Sequence, residues 1–206
     1  MIIYELHVRD FSTQRNYQFL IDTLSYLKSL GVNAIELMPV NEFEGNSSWG
    51  YNPSFSTALD KYYGTPNKLK EFIDLCHQNG IAVIMDMVLN HTYGQSPLVR
   101  MYWDSANNRP AANSPWFNVV SPNPVYSWGY DFNHEKSATK YFVDKVNRYW
   151  IEEYKFDGFR FDFTKGFTNT PGDGGGFDQA RINILKRMAD KIWDYDSTAY
   201  IILEHF

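Results

Sequence analysis

Ile81-Ala82-Val83-Ile84-Met85-Asp86-Met87-Val88-Leu89 is apolar at every position but one. A run of that length without alternation predicts a strand covered on both faces, and so a parallel sheet lying under helices. The flanks agree. Upstream, Thr65-Pro66 offers an N-cap and a first-turn proline. Leu69, Phe72, Ile73 and Cys76 then share one helical face, which Asn79-Gly80 closes. Earlier still, Ile2–Leu6 and Asn33–Met38 read as strands, separated by Leu20, Leu24 and Leu27 at helical spacing and by Gly31 as a left-handed stop. Downstream come a helix through Phe142, Val146, Tyr149 and Trp150, and a strand Asp157–Asp162. A further helix runs through Ile182, Leu185, Met188, Ala189 and Ile192, before a last strand, Tyr200–Glu204.

Five strands with four intervening helices leave two architectures for right-handed crossovers: an open doubly wound sheet, or part of an eight-fold barrel. The turn after the first strand, His7-Val8-Arg9-Asp10-Phe11, lacks the glycines of a phosphate-binding open sheet. The expectation is therefore an α/β fold, a (β/α)8 TIM barrel of which this chain supplies strands one to five, with roughly three units lying outside it. Residues 92–134 break the rhythm with Pro, Asn, Ser, Trp and Tyr, and are too long for an ordinary connection. They are read as an irregular subdomain inserted after strand three, between a first barrel portion (1–91) and its continuation (135–206).

Composition excludes several classes. Among 206 residues, 19 Lys and Arg face 24 Asp and Glu, for a net charge of −5 with no basic stripe, which disfavours a nucleic-acid partner. No run of 18 apolar residues suggests a membrane span, and the beginning, MIIYELHVRD, does not read as a signal peptide. The chain reads as soluble, with its localisation unassigned. The single cysteine, Cys76, falls on an apolar helix face and excludes a disulfide framework. Aromatic residues make up 17%, as core filler or as stacking surface.

Polar residues gather where the strands end, which is the functional face in either architecture. Asp86 continues to Asn90-His91, Arg160-Phe161-Asp162 closes the fourth strand, and Glu204 the fifth. Alternation sends Arg160 and Asp162 one way, and Phe159, Phe161 and Phe163 the other, toward the helices. On neighbouring strands the Asp162 and Glu204 carboxyls could approach to roughly 5–6 Å, which fits the spacing of a retaining glycosidase. In that reading Asp162, kept ionised by Arg160, is the nucleophile, and Glu204, among negative charges, is the proton donor and later the base. The spacing alone equally allows an Asp–Arg structural pair and an unrelated glutamate.

Five ordered stretches carry a resemblance. Met85–His91, Gly158–Asp162 and Leu203-Glu204 are similar to three successive signatures of the alpha-amylase family, glycoside hydrolase family 13. Tyr130–His134 resembles the motif near the end of that family's inserted subdomain, and Trp49–Pro53 the stretch whose tyrosine stacks under the sugar. The resemblance implies retaining cleavage of alpha-1,4 bonds in starch-like glucans, polysaccharide or oligosaccharide. It equally implies a branching enzyme or a debranching pullulanase, and leaves open a sugar-binding fragment without catalysis. Asp162 would be the nucleophile, Glu204 the acid/base, and Arg160 the group that orients Asp162. Asp86 would hold Arg160, Tyr51 would be the stacking platform, and His91 a donor to a sugar hydroxyl. As alternatives, Tyr51 is a loop aromatic packed on the rim and His91 a core histidine. Lys165 would meet the sugar beyond the cleavage point, although the histidine usual beside it is Gly166 here. The family's fourth signature, with the third acid, has no counterpart within these residues. No cofactor is implied as required. Calcium, where bound, would use Asn90 with Asp131 or Asp104.

Overall fold

Five parallel strands form one sheet in the computed structural model, which describes residues 1–206. In chain order the elements begin with β1 (Ile3–Leu6), α1 (Tyr17–Asp22), α2 (Leu24–Ser29) and β2 (Ala34–Leu37). An antiparallel hairpin follows, β3 (Asn41–Phe43) with β4 (Pro53–Leu59), and then α3 (Pro66–Gln78) and β5 (Ala82–Met87). Next come β6 (His91–Thr92), α4 (Pro97–Met101), β7 (Trp103–Asp104), β8 (Arg109–Pro110) and β9 (Tyr130–Asp131). The chain finishes with α5 (Ser137–Tyr149), β10 (Gly158–Phe161), α6 (Gln179–Trp193) and β11 (Tyr200–Leu203). The sheet order is β1-β2-β5-β10-β11, so each new strand adds on the same side and β1 and β11 are its edges.

The helix signals act as read. Thr65 accepts a hydrogen bond from the Lys68 amide with Pro66 in the first turn, and Gly80 takes the left-handed conformation (φ 71°) after the Asn79 C-cap. Gly31 does the same after α2 (φ 77°). The first helix is not continuous, however. It breaks at Thr23, whose hydroxyl donates back to the Phe19 carbonyl at 2.7 Å. Such back-bonding competes with the helix ladder. At the end of α5 the chain widens into a five-residue π-turn, Trp150–Tyr154, stopped by left-handed Lys155. Trp150 is fully buried there and donates its indole N–H to the Ser56 carbonyl (2.9 Å), tying the helix to the β3–β4 hairpin.

One core of 33 buried side chains lies between sheet and helices, and includes Phe159 and Phe161 from β10. Full burial of such a side chain contributes about 1.5–3 kcal/mol. The excursion from 92 to 134 is bracketed by the β6–β9 pair (His91 opposite Asp131) and has a separate cluster of three: Val99, Phe117 and Phe132. It contains one short helix, α4, where the sequence suggested no helical period. No helix is long and apolar enough to cross a membrane.

Candidate active site

Parallel register carries the charged residues to one end of the sheet. Arg160 on β10 stands opposite Asp86 on β5, and Phe161 opposite Leu203 on β11. The ladder runs on past the strand ends. The amide of Asp162 donates to the Met87 carbonyl (3.0 Å), and that of Glu204 to the Phe161 carbonyl (3.1 Å). Asp162 and Glu204 therefore leave adjacent strands side by side.

Arg160 organises this end. Its Nη1 donates to Asp86 Oδ1 at 2.7 Å and to Asp162 Oδ1 at 3.3 Å, while Nη2 pairs with Glu204 Oε1 at 2.6 Å. Glu36 stands 4.0 Å from Nε. Burial works against the charged guanidinium, but Asp86 and Glu204 outweigh it and hold Arg160 above its ordinary range. Arg160 thus touches both Asp86 and Asp162, with its shorter contacts going to Asp86 and Glu204. Asp162 is held chiefly by Asn90, whose Nδ2 donates to its Oδ2 (2.9 Å) and to its carbonyl (3.0 Å). Burial raises the pKa of Asp162, and the hydrogen bond from Asn90 and the charge of Arg160 pull it back in part. Burial likewise pushes fully enclosed Asp86 up to about 7, against the pull of Arg160 and Tyr51.

Tyr51 comes from the loop between β3 and β4. Its hydroxyl donates to Asp86 Oδ2 at 2.7 Å, which stands the ring at the wall of a cavity of about 530 Å³. His91 lines the same cavity, yet its Nε2 donates to the Tyr51 carbonyl (2.8 Å) and its Nδ1 lies against the Asn90 amide. Burial lowers it to about 4, so it is neutral, and its Nε2 braces the Tyr51 loop. Lys165 follows Thr164 in a short 3₁₀ turn. Its amine lies over the rings of Phe206 (5.0 Å) and Tyr126 (5.9 Å), away from the carboxylates.

Around Asn90 the donors do not fit calcium. Its amide is spent on Asp162 and His91. Asp131 accepts from Asn118 (2.7 Å) within a ring of amides that includes Asn133 and Asn169, and burial raises it to about 7. Asp104 is exposed and caps the turn at Ala106 and Asn107. Acidic oxygens converge instead at Glu5, Glu36 and Asp86, on the inner face of the sheet.

Several participants escaped the sequence reading. Phe159 and Phe161 pack under the helices as expected, but Phe163 does not. Its backbone is left-handed (φ 45°, ψ 60°), which ends the strand alternation and turns the ring toward the cavity mouth against Trp128 and Tyr126. Trp49 and Trp128 are exposed by 59% and 44% respectively, and both border the cavity. The available signal was the repeated triplet, Trp49-Gly50-Tyr51 and Trp128-Gly129-Tyr130. Both glycines have positive φ, and a Cβ would meet Pro39 Cβ at 2.7 Å or the Thr92 carbonyl at 2.5 Å. His7 pairs with Tyr63 (2.9 Å), and His134 stacks on Phe167 (4.1 Å).

Comparison with known proteins places this geometry. Residues 16–129 match the family profile described as alpha amylase, catalytic domain. The chain is 32% identical over 200 residues to malto-oligosyltrehalose trehalohydrolase of Saccharolobus solfataricus, covering 95% of this chain and 31% of that protein. It is 32% identical to pullulanase of Bacillus subtilis over 207 aligned positions, covering 78% of this chain and 27% of that one. The crystal structure of Bacillus subtilis pullulanase type I complexed with maltose superposes on the whole chain with a TM-score of 0.74 at 28% identity, using 31% of its own length. This chain thus spans about a third of the length of these relatives. A parallel sheet ending in Asp86, Arg160, Asp162 and Glu204, matched in sequence by glucan-processing enzymes along nearly its full length, belongs to the alpha-amylase family.

Proposed function

We propose that this chain is the first five strands of a (β/α)8 barrel and carries the nucleophile and acid/base of a retaining hydrolase for alpha-1,4-linked glucans. The observation that supports this reading is the placement of Asp162 and Glu204 on one guanidinium, at the ends of adjacent strands, under an aromatic-walled cavity. In the first step Glu204 gives its proton to the glycosidic oxygen while an Asp162 oxygen attacks the sugar C1. The C1–O bond breaks, the shorter glucan leaves as an alcohol, and a glycosyl ester forms on Asp162. In the second step Glu204 takes a proton from water, the oxygen of that water attacks C1, and the ester breaks to regenerate carboxylate. Arg160 sits against both carboxyls and balances the charge that moves between them. Tyr51 supplies a ring face to the sugar, and Asp86 with His91 hold that ring and the guanidinium in place.

The test uses the protein as natively produced with maltoheptaose, following the anomer first released by proton NMR. Alpha product is expected, and beta product would overturn retention. A second reading follows from the relatives, which include pullulanase and 1,4-alpha-glucan branching enzyme. Iodine stain lost from amylose without new reducing ends would favour branching; activity confined to pullulan would favour debranching. Saturable glucan binding without turnover would favour the sugar-binding alternative.

A further inference from the structure

Phe163 is the one bulky aromatic in this chain whose backbone is left-handed, and it directly follows Asp162. A non-glycine residue in that region is strained and persists only where surrounding contacts over-determine it. Three sets of contacts do so here. The ring is 97% buried and packs edge-on against Trp128 (5.1 Å) and Tyr126 (5.5 Å) of the 92–134 excursion. It lies tilted on Phe206 at 5.8 Å. Its inner side rests on Gly166, where a Cβ would come within 3.0 Å of Phe163 Cδ1, so the floor beneath the ring tolerates no side chain. With the ring fixed, the backbone turn directs the Phe163 amide at Glu204, donating to Oε2 at 2.9 Å. Arg160 takes the other oxygen, Oε1, at 2.6 Å.

We propose that Phe163 is a positioning residue for Glu204: its clamped ring fixes a backbone N–H that orients the acid/base carboxyl, so that docking of the Tyr126–Trp128 rim and aim of the proton donor are one event. This rests on the reading of Glu204 as acid/base. Trp128 borders the glucan cavity on one side and touches Phe163 on the other, with Tyr126 packed against both rings, so sugar that settles the rim also settles Glu204. The Asp162 carboxylate takes its hydrogen bonds from Asn90 and Arg160 rather than from Phe163.

The experiment compares two substrates in the protein as natively produced. Maltotetraose needs its leaving oxygen protonated; alpha-maltosyl fluoride does not, because fluoride leaves as the anion, and for both substrates the rate read is bond cleavage in the first turnover, before Glu204 acts as base toward water. Phe163→Gly keeps access to the left-handed backbone and removes the clamp. Phe163→Asn, which also accepts that backbone, keeps the test alive if the glycine variant does not fold, as judged by circular dichroism. The expected result is a fall in kcat of about tenfold or more on maltotetraose, with KM within about twofold and the fluoride rate nearly unchanged. Glu204→Gln should show the same selectivity more strongly. Equal losses on both substrates would overturn the proposal, as would a raised KM at constant kcat, which would make Phe163 a wall of the binding site only. Glu204→Gln losing equally on both substrates would overturn the acid/base reading itself, and the inference with it.

Discussion

Asp86, Arg160, Asp162 and Glu204 stand on strands anchored in a core of 33 side chains, whereas Trp128 and Tyr126 stand on a segment whose own cluster has three. The floor of the cavity and its rim are therefore stabilised by different means. The floor relies on packing and on ion pairs satisfied within the sheet. The rim relies on a ring of side-chain amides, Asn118, Asn133 and Asn169 with Asp131, and on a glycine turn pressed against Thr92. The difference teaches that Asp86, Arg160 and Asp162 are fixed in advance by the sheet, while the rim aromatics hang on a separate polar framework and reach Glu204 only through one side chain. Phe163 is where the two regions meet.

That contrast can be broken or sharpened by mutation. Asp162→Asn should reduce glucan hydrolysis by on the order of 10⁴-fold with the fold intact, measured as reducing-end release. Residual activity near wild type would remove Asp162 from its role. Arg160→Ala leaves Asp86 buried and unpaired, and should destabilise by about 3–5 kcal/mol in urea unfolding. Trp128→Ala should leave that unfolding midpoint nearly unchanged and weaken maltooligosaccharide binding by about 1 kcal/mol in calorimetry. A large loss of stability there would mean that the rim is no separate region. Gly129→Ala, with φ 55° and a Cβ at 2.5 Å from the Thr92 carbonyl, should cost about 1–3 kcal/mol, concentrated in the excursion and visible as local hydrogen exchange.

A further effect concerns pH. Asp131 is raised from 3.8 to about 7 by burial, so the folded state binds its proton more tightly than the unfolded chain does. Its contribution is full below about pH 4 and is lost as pH rises toward 7. His91 acts in the opposite sense: lowered to about 4, it stabilises above 6.5 and loses that contribution as pH falls toward 4. Asp131→Asn should flatten the decline of stability between pH 4 and 7 in urea titrations. An unchanged slope would mean that the carboxyl is solvated.

How much of this was legible depended on the reach of each signal. The five strands and the caps at Thr65 and Gly80 were readable because apolar runs and capping chemistry are local. The break at Thr23 was not, since Leu20, Leu24 and Leu27 keep their helical spacing across it. The β3–β4 hairpin was missed because Pro53–Leu59 buries only its beginning and lacks clean alternation. The charged residues were found from their place at strand ends and the contacts of Arg160 with Asp86 and Asp162 through the family resemblance, but the short contact of Arg160 with Glu204 was not. Which carboxylate takes the shorter arginine contact depends on side-chain geometry across three strands. The engagement of His91 by the Tyr51 carbonyl, 40 residues away, and the reversal at Phe163 lie beyond any periodicity argument.

Glu5, Glu36, Asp86, Asp162 and Glu204 are gathered round the single guanidinium of Arg160. Such a pocket has a surplus negative potential that deepens as pH rises through about 7, where Asp86 gives up its proton. It acts as an electrostatic filter: an inhibitor with a protonated nitrogen in place of the glycosidic oxygen is drawn in, and one bearing a carboxylate there is turned away. Their relative affinities should diverge further with each step in pH until the amine itself becomes neutral.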